Sequence, residues 1–442
     1  MHRKEAVPLG KLTKNVDILV VGAGMAGVLA ALAAAKNNPN PSVAIVEKNT
    51  MPGGQVSSAL VSEMSGYTYR GREIYGGIQK ELIDYLISVN AAKLYYNTPL
   101  VPSTHARMDK LVFNTEVMKI ILNWFVAQSA VEAIGGCRLH RVELSEGGVR
   151  TFFHGGHDEL EISAKIVIDA TGDAEVAYLA GLETVKSISD EKELSTLLFR
   201  LSDIAAQPLE KFMLGNGMNE VVLKGHKSGF LPRRHISIAP IPGTRDVVIN
   251  ATRTFVDSES EIDITKGTIE TLNQILRIAP FLKQNVPGME SAALAAIAPA
   301  LGIRDARRIA GRTVVTENSI ANLVRYPDEV AIGCAPMGVY DSIDDDINWT
   351  GVLGIYRIPI SAMLPKDSDR IIAAGRCISC SDKALSTIRS IPAVMNTGEV
   401  AGYTAALAVN SGTTPDKLRP EDLQDFLRNK GLFSEYDPAR TP

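Results

Sequence analysis

A glycine motif set between a strand and a helix constrains the fold of this chain more than any other feature. Its residues are Gly22, Gly24 and Gly27, in the spacing G-x-G-x-x-G. The β-branched run DILVV precedes the motif, and an alanine- and leucine-rich segment at residues 28–36 follows it. A second apolar run, VAIVE, ends at Glu47. This succession predicts a β-α-β unit, in which two parallel strands flank a helix.

Each part of the motif has a mechanical reason in a dinucleotide site. Gly22 allows a tight turn, Gly24 lets the backbone approach a pyrophosphate, and Gly27 lets the helix pack closely on the strand. The amides at the start of the helix then face the phosphates with the positive end of the helix dipole. Met25 and Ala26 lie in this turn, and we predict that they contact the nucleotide together with the three glycines.

The residues after the second strand indicate which nucleotide is bound. Glu47 can accept hydrogen bonds from ribose hydroxyls, and it would repel a 2′-phosphate, which argues against NADP. Lys48 and then Gly53, Gly54 and Gln55 place flexible backbone just beyond this strand. A larger ligand can pass there in extended form, so the sequence favours FAD over NAD. A glycine turn followed by an unrelated acid is the alternative interpretation.

Length and composition limit the class of protein. A chain of 442 residues suits two or three domains, or one large nucleotide-binding domain with an insertion. The net charge of −4 and the lack of a long basic run argue against a nucleic-acid partner. The apolar stretch at residues 16–35 contains Asp17 and three glycines, which fits strand–turn–helix better than a membrane span. The N-terminus lacks a signal-peptide pattern, so we predict a cytoplasmic protein.

The remaining pattern predicts an α/β fold with a Rossmann-like FAD-binding domain, a parallel central sheet and an inserted α+β substrate domain. We assign residues 1–184 and 356–442 to the FAD-binding domain, with a helical insertion at about 73–134, and 185–355 mostly to the substrate domain. The first fifteen residues are predicted to be a flexible leader. The predicted helices are 73–88, 114–134, 265–277, 288–298 and 393–409, and the predicted strands are 138–144, 151–154, 164–169, 247–252 and 370–374.

Four segments carry a resemblance to a known family. They are VDILVVGAGMAGVLAALAAA with IVEKNTMPGGQ, then GREIYGGIQKELID, then IVIDATGDAEVAYLAG, and a C-terminal group comprising GIRDARRIAGRTVVT, YRIPISAMLPK and IIAAGRCISCSDKALSTIRSIPAVMNTGEVAGYTAALAV. With these segments the chain resembles FAD-dependent oxidoreductases related to the fumarate reductase flavoproteins and the glutathione-reductase-like superfamily. More narrowly, it is similar to the bacterial family called "FAD dependent oxidoreductase".

The resemblance implies roles for individual residues. The three motif glycines would hold the pyrophosphate, Glu47 the adenosine ribose, and Lys48, Gly54 and Gln55 would lie along the FAD. The third segment, which resembles a second flavoprotein signature, would close over the nucleotide with Ala170, Thr171, Gly172 and Asp173. Gly375 and Arg376 would sit beside the ribityl chain, although relatives often have an acid where this chain has Arg376.

The C-terminal helix is expected to point its N-terminus at the flavin. Pro392 suits the first helical position and Ser390 a cap. The helix dipole would then stabilise negative charge on the pyrimidine edge of a reduced flavin. Ile391 and Met395 are the predicted contacts in this helix. A helix that only packs through Gly398 and its neighbours is the structural alternative. No histidine or cysteine is placed like an attachment site, so we expect FAD to be non-covalent.

The substrate side of the site is less well marked. Arg389 precedes the C-terminal helix, where it could bind a substrate carboxylate or the flavin. His235 and Arg253 lie in a strand-rich stretch, with Arg233 and Arg234, and are further catalytic candidates. The alternatives are surface arginines and a hydrogen-bonded histidine.

Three further groups of residues have a structural interpretation. We interpret Cys377 and Cys380 as buried small residues rather than a redox disulfide, and the acidic loop at residues 341–346 as a solvated turn. The pair Arg307 and Arg308 is expected on a helix face near the FAD-binding domain. No metal site is predicted.

The sequence thus predicts hydride transfer between FAD and a small organic substrate. Two alternatives stay open: a flavin-dependent isomerase or hydratase without net redox change, and an electron-transfer subunit that contains FAD. A homo-oligomer and a separate redox partner also stay open.

Overall fold

The computed structural model describes residues 10–37, 39–99, 107–156, 158–187, 193–215, 217–340, 347–350 and 354–432. Within these ranges no helix combines the length and the apolar character that crossing a bilayer requires. The apolar stretch at residues 16–35 forms a strand and a helix joined by the glycine turn, as expected from Asp17 and the glycines.

The described residues form the following elements. The helices are α1 (Met25–Ala35), α2 (Gln55–Ser58), α3 (Gly77–Ser88), α4 (Thr115–Ala127), α5 (Glu175–Leu179), α6 (Ala206–Leu214), α7 (Gly217–Lys227), α8 (Glu261–Asn285), α9 (Glu317–Ala321), α10 (Asp382–Ile388), α11 (Ile391–Asn410) and α12 (Pro420–Asn429). The strands are β1 (Gly10–Val21), β2 (Val43–Glu47), β3 (Glu63–Ser65), β4 (Thr68–Tyr69), β5 (Arg72–Glu73), β6 (Ala92–Pro99), β7 (Arg107–Phe113), β8 (Val131–Gly135), β9 (Arg138–Ser145), β10 (Gly148–Gly155), β11 (Asp158–Asp169), β12 (Thr184–Val185), β13 (Phe199–Ser202), β14 (Ser237–Pro240), β15 (Val247–Asn250), β16 (Ala293–Ile297), β17 (Arg308–Ile309), β18 (Glu329–Gly333), β19 (Met337–Tyr340), β20 (Ile347–Thr350), β21 (Tyr356–Pro359) and β22 (Ile371–Ala373).

A mainly parallel sheet forms the centre of the molecule. Its strands follow the order β8-β2-β1-β11-β10-β9, and β22 pairs in parallel with the end of β11. Side chains of β1 such as Ile18, Leu19 and Val20 are fully buried, because helices or strands cover both faces of the sheet. The strands β9 and β10, which contain the predicted strands 138–144 and 151–154, add an antiparallel hairpin. The predicted α/β class is therefore confirmed.

Four predicted local structures are wrong. Residues 10–15 are part of β1, since the long strand β11 gives them a parallel partner at residues 158–163. The helix predicted over 114–134 ends at Ala127, because residues 131–135 pair with β2 as β8. The helix predicted over 73–88 begins at Gly77, because residues 72–73 form β5. The helix predicted over 288–298 is strand β16, since Gly288 has φ of +90° and residues 293–297 pair with β13.

A second core surrounds the sheet β14-β15-β13-β16, all of whose strands lie within residues 185–355. Phe199, Ile249 and Ile278 are fully buried there, and α8 packs across this core. Leu60 and Val112, from the N-terminal part, belong to the same core. The insertion predicted to be helical, residues 73–134, also contains the antiparallel strands β6 and β7. The domain boundaries stay a prediction.

The two ends of the chain meet where α11 crosses α1. A Cβ atom built on Gly398 would lie 2.6 Å from the Cα atom of Ala26, and one on Gly402 would lie 2.8 Å from the carbonyl carbon of Ala30. Such distances are too short for real Cβ contacts. Both helices are almost completely buried, which explains why their sequences are so rich in alanine and glycine. The crossing fixes the start of α11 relative to the glycine motif.

Helix α11 also holds the start of α3 through a buried carboxylate. Glu399 is fully buried, and its carboxylate accepts hydrogen bonds from the amides of Ile78 (2.7 Å) and Gln79 (3.1 Å). Burial raises the pKa of Glu399 from 4.5 to about 7, against the opposing effect of the two amides. The ionised carboxylate is therefore less favourable in the folded protein than in the unfolded chain.

We expect this carboxylate to make stability depend on pH. Because its pKa is raised on folding, its contribution is fully present below about pH 4.5 and is lost as the pH rises through about 7. Glu399→Gln replaces the carboxyl group with an amide, which does not titrate. The free energy of unfolding of the variant, relative to that of wild type, should increase from about pH 5 to about pH 8, by on the order of 3 kcal/mol at most. Urea unfolding at both pH values measures this difference.

The control is Glu116→Gln on α4, where the side chain is 51% exposed and pairs with Lys119. This variant should follow the pH dependence of wild type within a few tenths of a kcal/mol. An equal pH response of E399Q and wild type would contradict the raised pKa of Glu399.

Candidate cofactor and substrate site

The loops predicted to bind FAD lie together at one edge of the central sheet. The parallel strands β1, β2, β11 and β22 all end at this edge. Backbone hydrogen bonds join the residues that follow them: the amide of Gly22 donates to Val46 (2.7 Å), and that of Ala170 to Val21 (2.9 Å). The amide of Ala374 donates to Asp169 (2.9 Å). Crevices at the carboxyl ends of such strands are the usual ligand sites in open α/β sheets.

The glycine motif forms a cradle with no room for side chains. Gly22 has φ of +96°, and a Cβ atom built on it would lie 2.6 Å from the carbonyl oxygen of Ala170. A Cβ atom on Gly27 would lie 2.9 Å from the carbonyl carbon of Gly22. On the other side, Gly54 has φ of +55°, and a Cβ atom built on it would lie 3.0 Å from the Cα atom of Gly24. At these positions only backbone atoms would border a bound ligand.

The start of α1 fits a pyrophosphate. The first amides of a helix have no acceptor within the helix. Here the N-cap is Gly24, which makes no side-chain capping hydrogen bond, and the first turn contains no acidic residue. Met25, Ala26 and Gly27 supply the first-turn amides. This chemistry favours an anion, so the residues present fit the phosphates of FAD.

Glu47 connects the second strand with the glycine turn. Its Oε2 atom accepts a hydrogen bond from the amide of Ala23 (2.7 Å), and its Oε1 atom accepts from the amide and side chain of Asn49 (both 3.0 Å). A carboxylate has about four acceptor positions, so one more hydrogen bond can be made. These hydrogen bonds fix Glu47 beside the glycine turn, and its contact with the ribose stays a prediction. Lys48, the next residue, is exposed.

The second signature is ordered by a buried aspartate that the sequence analysis did not select. Asp169 is fully buried, and its carboxylate accepts hydrogen bonds from the hydroxyl of Thr171 (2.6 Å) and from the amide of Ala177 (3.1 Å). Burial raises the pKa of Asp169 to about 6. The acid at the end of the strand run AKIVID was the available signal. It holds the turn that contains Gly172 and Asp173, both of which are half-buried.

Arg376 lies against the second signature rather than pointing freely into the crevice. Its Nε atom donates to the carbonyl of Gly172 (2.7 Å), and it forms an ion pair with Asp173. It also donates to the carbonyl of Ile303. Arg376 therefore joins three segments that border the cradle. A ribityl contact from its guanidinium, as the resemblance implies, stays a prediction.

The start of α11 faces the same crevice as the glycine motif. Gly375 has φ of +80°, and a Cβ atom built on it would lie 3.1 Å from the Cβ atom of Ala26 and 3.3 Å from Val394. Ser390 is the N-cap but makes no side-chain capping hydrogen bond, and Pro392 is the second helical residue rather than the first. The first turn again has no acidic residue, which suits an electronegative group.

The remaining predicted cofactor contacts differ in burial. Ile391 is half-buried, whereas Met395 is fully buried in the core. Gln55 approaches the loop after β16, since a Cβ atom built on Gly302 would lie 3.5 Å from its Oε1 atom. The structure thus places most of the predicted cofactor residues around one crevice, and their individual contacts with FAD stay predictions.

Arg389 is paired with an acid that the sequence analysis missed. Its Nε atom lies 3.1 Å from the Oε1 atom of Glu193, and Nη2 contacts the other carboxylate oxygen. The Glu193 side chain is only 7% exposed. It lines a small surface pocket whose polar residues include Lys186, Ser187, Glu193, Asp257, Asp305 and Arg307.

This pocket lies between two groups of predicted cofactor residues. On one side, the Nε atom of Arg307 donates to the carbonyl of Asp173 (3.2 Å), in the second signature. On the other side, Glu193 binds Arg389, which directly precedes the N-cap of α11. His235 and Arg253 do not line the pocket. His235 is buried beside β14, and the amide of Arg253 donates to Gln274.

A buried ion network supports one wall of the pocket. The Arg308 side chain is 1% exposed and contacts Asp382 and Asp305, the latter at 3.5 Å. The hydroxyl of Ser187 lies 2.8 Å from a carboxylate oxygen of each aspartate. Burial raises the pKa of Asp305 above its ordinary value. Arg308 lies in strand β17, so the helix predicted for it and Arg307 is wrong.

The four cysteines are free thiols. Cys377 and Cys380 are buried, and burial raises the pKa of both, that of Cys380 to about 12. Protonated, buried thiols are poor nucleophiles. Their interpretation as buried small residues is confirmed. The acidic residues at 341–346 lie outside the described residues. Among the described residues no cluster of histidine, cysteine and acidic side chains could hold a metal ion.

The fold and the crevice define a flavoprotein with a Rossmann-like α/β fold. Residues 17–427 match the model of the FAD dependent oxidoreductase family, so the chain belongs to this family and its cofactor is FAD.

One curated relative is similar to part of the chain. A stretch of 175 residues is 30% identical to the tRNA uridine 5-carboxymethylaminomethyl modification enzyme MnmG of Desulfotalea psychrophila, covering 39% of this chain and 25% of that protein. The chain therefore spans about a quarter of the length of this curated relative.

Two solved structures share the fold. A geranylgeranyl bacteriochlorophyll reductase-like protein from Thermoplasma acidophilum is 16% identical, with a TM-score of 0.51 over 95% of this chain and 85% of that one. The p-nitrophenol 4-monooxygenase PnpA from Pseudomonas putida is 12% identical, with a TM-score of 0.50 over 97% and 91%. At these identities the likeness shows the fold alone.

Proposed function

We propose that this FAD-dependent oxidoreductase transfers hydride between FAD and a small polar substrate bound in the pocket beside Glu193 and Asp305. The position of the pocket carries the proposal, because its walls connect to the second signature through Arg307 and to the start of α11 through Arg389. When bound, FAD supplies the two-electron chemistry that protein side chains cannot. The protein has to orient the substrate and to move a proton.

Asp305 is suited to the proton transfer. Oxidising an alcohol or an amine to a carbonyl or an imine releases a proton from oxygen or nitrogen, besides the hydride. The Asp305 side chain lines the pocket, is 7% exposed, and has a raised pKa because it is buried. A carboxylate with a raised pKa is a better proton acceptor than an ordinary one.

Glu193 has a different task. Its carboxylate is held by Arg389 in a two-point ion pair, which fixes both side chains. This pair would orient a hydroxyl or amino group of the substrate, while Ser187 offers a further hydrogen bond along the wall. A substrate with several polar groups suits this lining better than an apolar one.

Anaerobic mixing tests the reaction class. The protein, purified with FAD, is mixed with a panel of small hydroxy and amino compounds while absorbance is followed near ~450 nm, where oxidised flavin absorbs. Persistent bleaching by one compound supports the proposal. Product formation without lasting bleaching would instead support isomerisation. Bleaching only by a protein reductant, with no small compound turned over, would support an electron-transfer role.

Asp305→Asn tests the proton transfer. With the compound that bleaches the flavin, we expect the rate of reduction to fall about 10²- to 10⁴-fold, since the amide cannot accept the proton. The rising limb of the pH–rate profile should disappear as well. Asp257→Asn, on the same pocket wall, is the matched control and should stay within a few fold of wild type. Equal rates and pH profiles of D305N and D257N would contradict this role of Asp305.

A further inference from the structure

The outward side of helix α8 carries an apolar stripe. Ile262, Ile269 and Leu276 are spaced seven residues apart and are 69%, 55% and 74% exposed, with Leu272 at 37% between them. The opposite side of α8 packs into the second core through Thr271, Ile278 and other buried residues. A helix at the surface of a monomer ordinarily presents polar side chains to water. Seven-residue spacing is the pattern that one helix uses to pack along another.

A strand next to this helix is also uncovered. Strand β16 is at the edge of the four-stranded sheet, and Ala293, Leu294 and Ala295 are exposed, Leu294 to 49%. The side chain of Lys283, in the last turn of α8, donates to the carbonyl of Ala292 (3.1 Å). The end of the helix therefore adjoins the start of the strand. Sequence ALAAI lacks the charges and prolines that usually protect a sheet edge from pairing.

The charges beside the stripe indicate how a partner would lie. The first part of α8 has a net negative charge and the last part a net positive one: the first part carries Glu261, Asp263, Lys266 and Glu270, and the last part Arg277 and Lys283. The Glu270 carboxylate also accepts hydrogen bonds from the side chains of Thr254 (2.6 Å) and Gln274 (3.3 Å). Among the described residues Arg277 forms no ion pair. A parallel copy of the helix would place parts of like net charge together, whereas an antiparallel copy places the net negative part beside the net positive part. The stripe is thus complementary to itself in one orientation.

We propose that a second copy of this chain packs on the surface formed by α8 and β16, with the two α8 helices antiparallel across a two-fold axis. Pairing Leu272 with Leu276 of the second copy brings Glu270 near Arg277 of that copy. Such an interface uses the same patch on both chains, as a two-fold dimer requires. The acids beside the stripe disfavour a lipid surface, which selects basic flanks.

The oligomeric state of the full FAD-loaded protein tests the proposal. Light scattering behind size exclusion should give twice the chain mass of 47.6 kDa for wild type. The double variant Ile269→Glu with Leu276→Glu should give the mass of one chain, with its absorbance near ~450 nm retained. Ile120→Glu is the matched control, because Ile120 is 67% exposed on α4, away from α8, and this variant should stay dimeric.

A charge exchange tests the antiparallel orientation. Arg277→Glu and Glu270→Arg should each weaken the dimer at least tenfold, and the combination of both should restore it, since opposite charges face each other again. A wild-type monomer at about 100 μM would overturn the proposal, as would a dimer that none of the α8 substitutions weakens. Sedimentation of a monomer with vesicles of anionic lipid would assign the stripe to a membrane surface and would overturn it as well.

Discussion

Replacing Gly398 with alanine is expected to abolish the retention of FAD on the purified protein. A Cβ atom at this position would lie 2.6 Å from the Cα atom of Ala26, in the first turn of α1. No side chain can rotate away to relieve this contact, because the atoms it meets belong to the backbone. Helix α11 would have to move away from α1, and the start of α11 would move with it.

The displacement separates the two halves of the cradle. Gly375 lies against both Ala26 of α1 and Val394 of α11, so a shift of α11 opens the crevice beside the glycine motif. Binding that depends on several fixed contacts falls steeply when one wall moves by about 1 Å. We expect the dissociation constant of FAD to rise at least 100-fold, and the free energy of unfolding to fall by about 1–3 kcal/mol through overpacking.

The control for this variant is Gly147→Ala. Gly147 lies in the turn between β9 and β10, where a Cβ atom would meet nothing within 4 Å. Flavin fluorescence during titration measures FAD binding of both variants, and urea unfolding measures their stability. If G398A bound FAD as tightly as G147A, the crossing of α1 and α11 would not be what positions the cofactor.

Replacing Arg308 with leucine is expected to destabilise the fold by about 3–5 kcal/mol. The Arg308 side chain is 1% exposed and is the cation between Asp305 and Asp382. Its removal leaves two buried carboxylates close to the hydroxyl of Ser187, with no compensating charge. Because burial already raises the pKa of Asp305, losing the guanidinium should raise it further.

The sign of the pH dependence follows from that shift. A carboxyl group with a raised pKa stabilises the fold while it is protonated, and this contribution is lost as the pH rises through the folded pKa. The deficit of R308L relative to wild type should therefore be smaller at about pH 5 than at about pH 8. Arg419→Leu removes a 76% exposed partner of Asp422 and should cost less than about 1 kcal/mol. Equal losses for the two variants would contradict the role of Arg308.

The cofactor cradle could be predicted from the sequence because its signals are local. The glycines of the first motif, the acid at the end of the second strand and the run IVIDATGD each follow a strand that the apolar pattern reveals. The structure brings these segments to one edge of the sheet, as parallel strands require. In the sequence, only small residues mark the crossing of α1 and α11. Small residues occur in many other structural contexts, so they do not predict this crossing.

The substrate pocket could not be predicted in the same way. Arg389 and Glu193 are 196 residues apart in the chain, and Ser187 and Asp382 are 195 apart. No local spacing marks such pairs, so Arg389 was selected without its acid, and Asp305 was missed. His235 was selected by residue type alone. Strand β16 was mistaken for a helix because its alanines favour helices, and pairing with β13 overrides that preference.

A crystal structure of the protein with FAD decides whether both ends of the chain build one cofactor site. We expect the pyrophosphate at the first-turn amides of α1, from Met25 to Gly27, and the pyrimidine edge of the flavin at the first turn of α11, beside Ile391. FAD that contacts one of these helix starts but not the other, or that binds elsewhere on the protein, would contradict the site described for this chain.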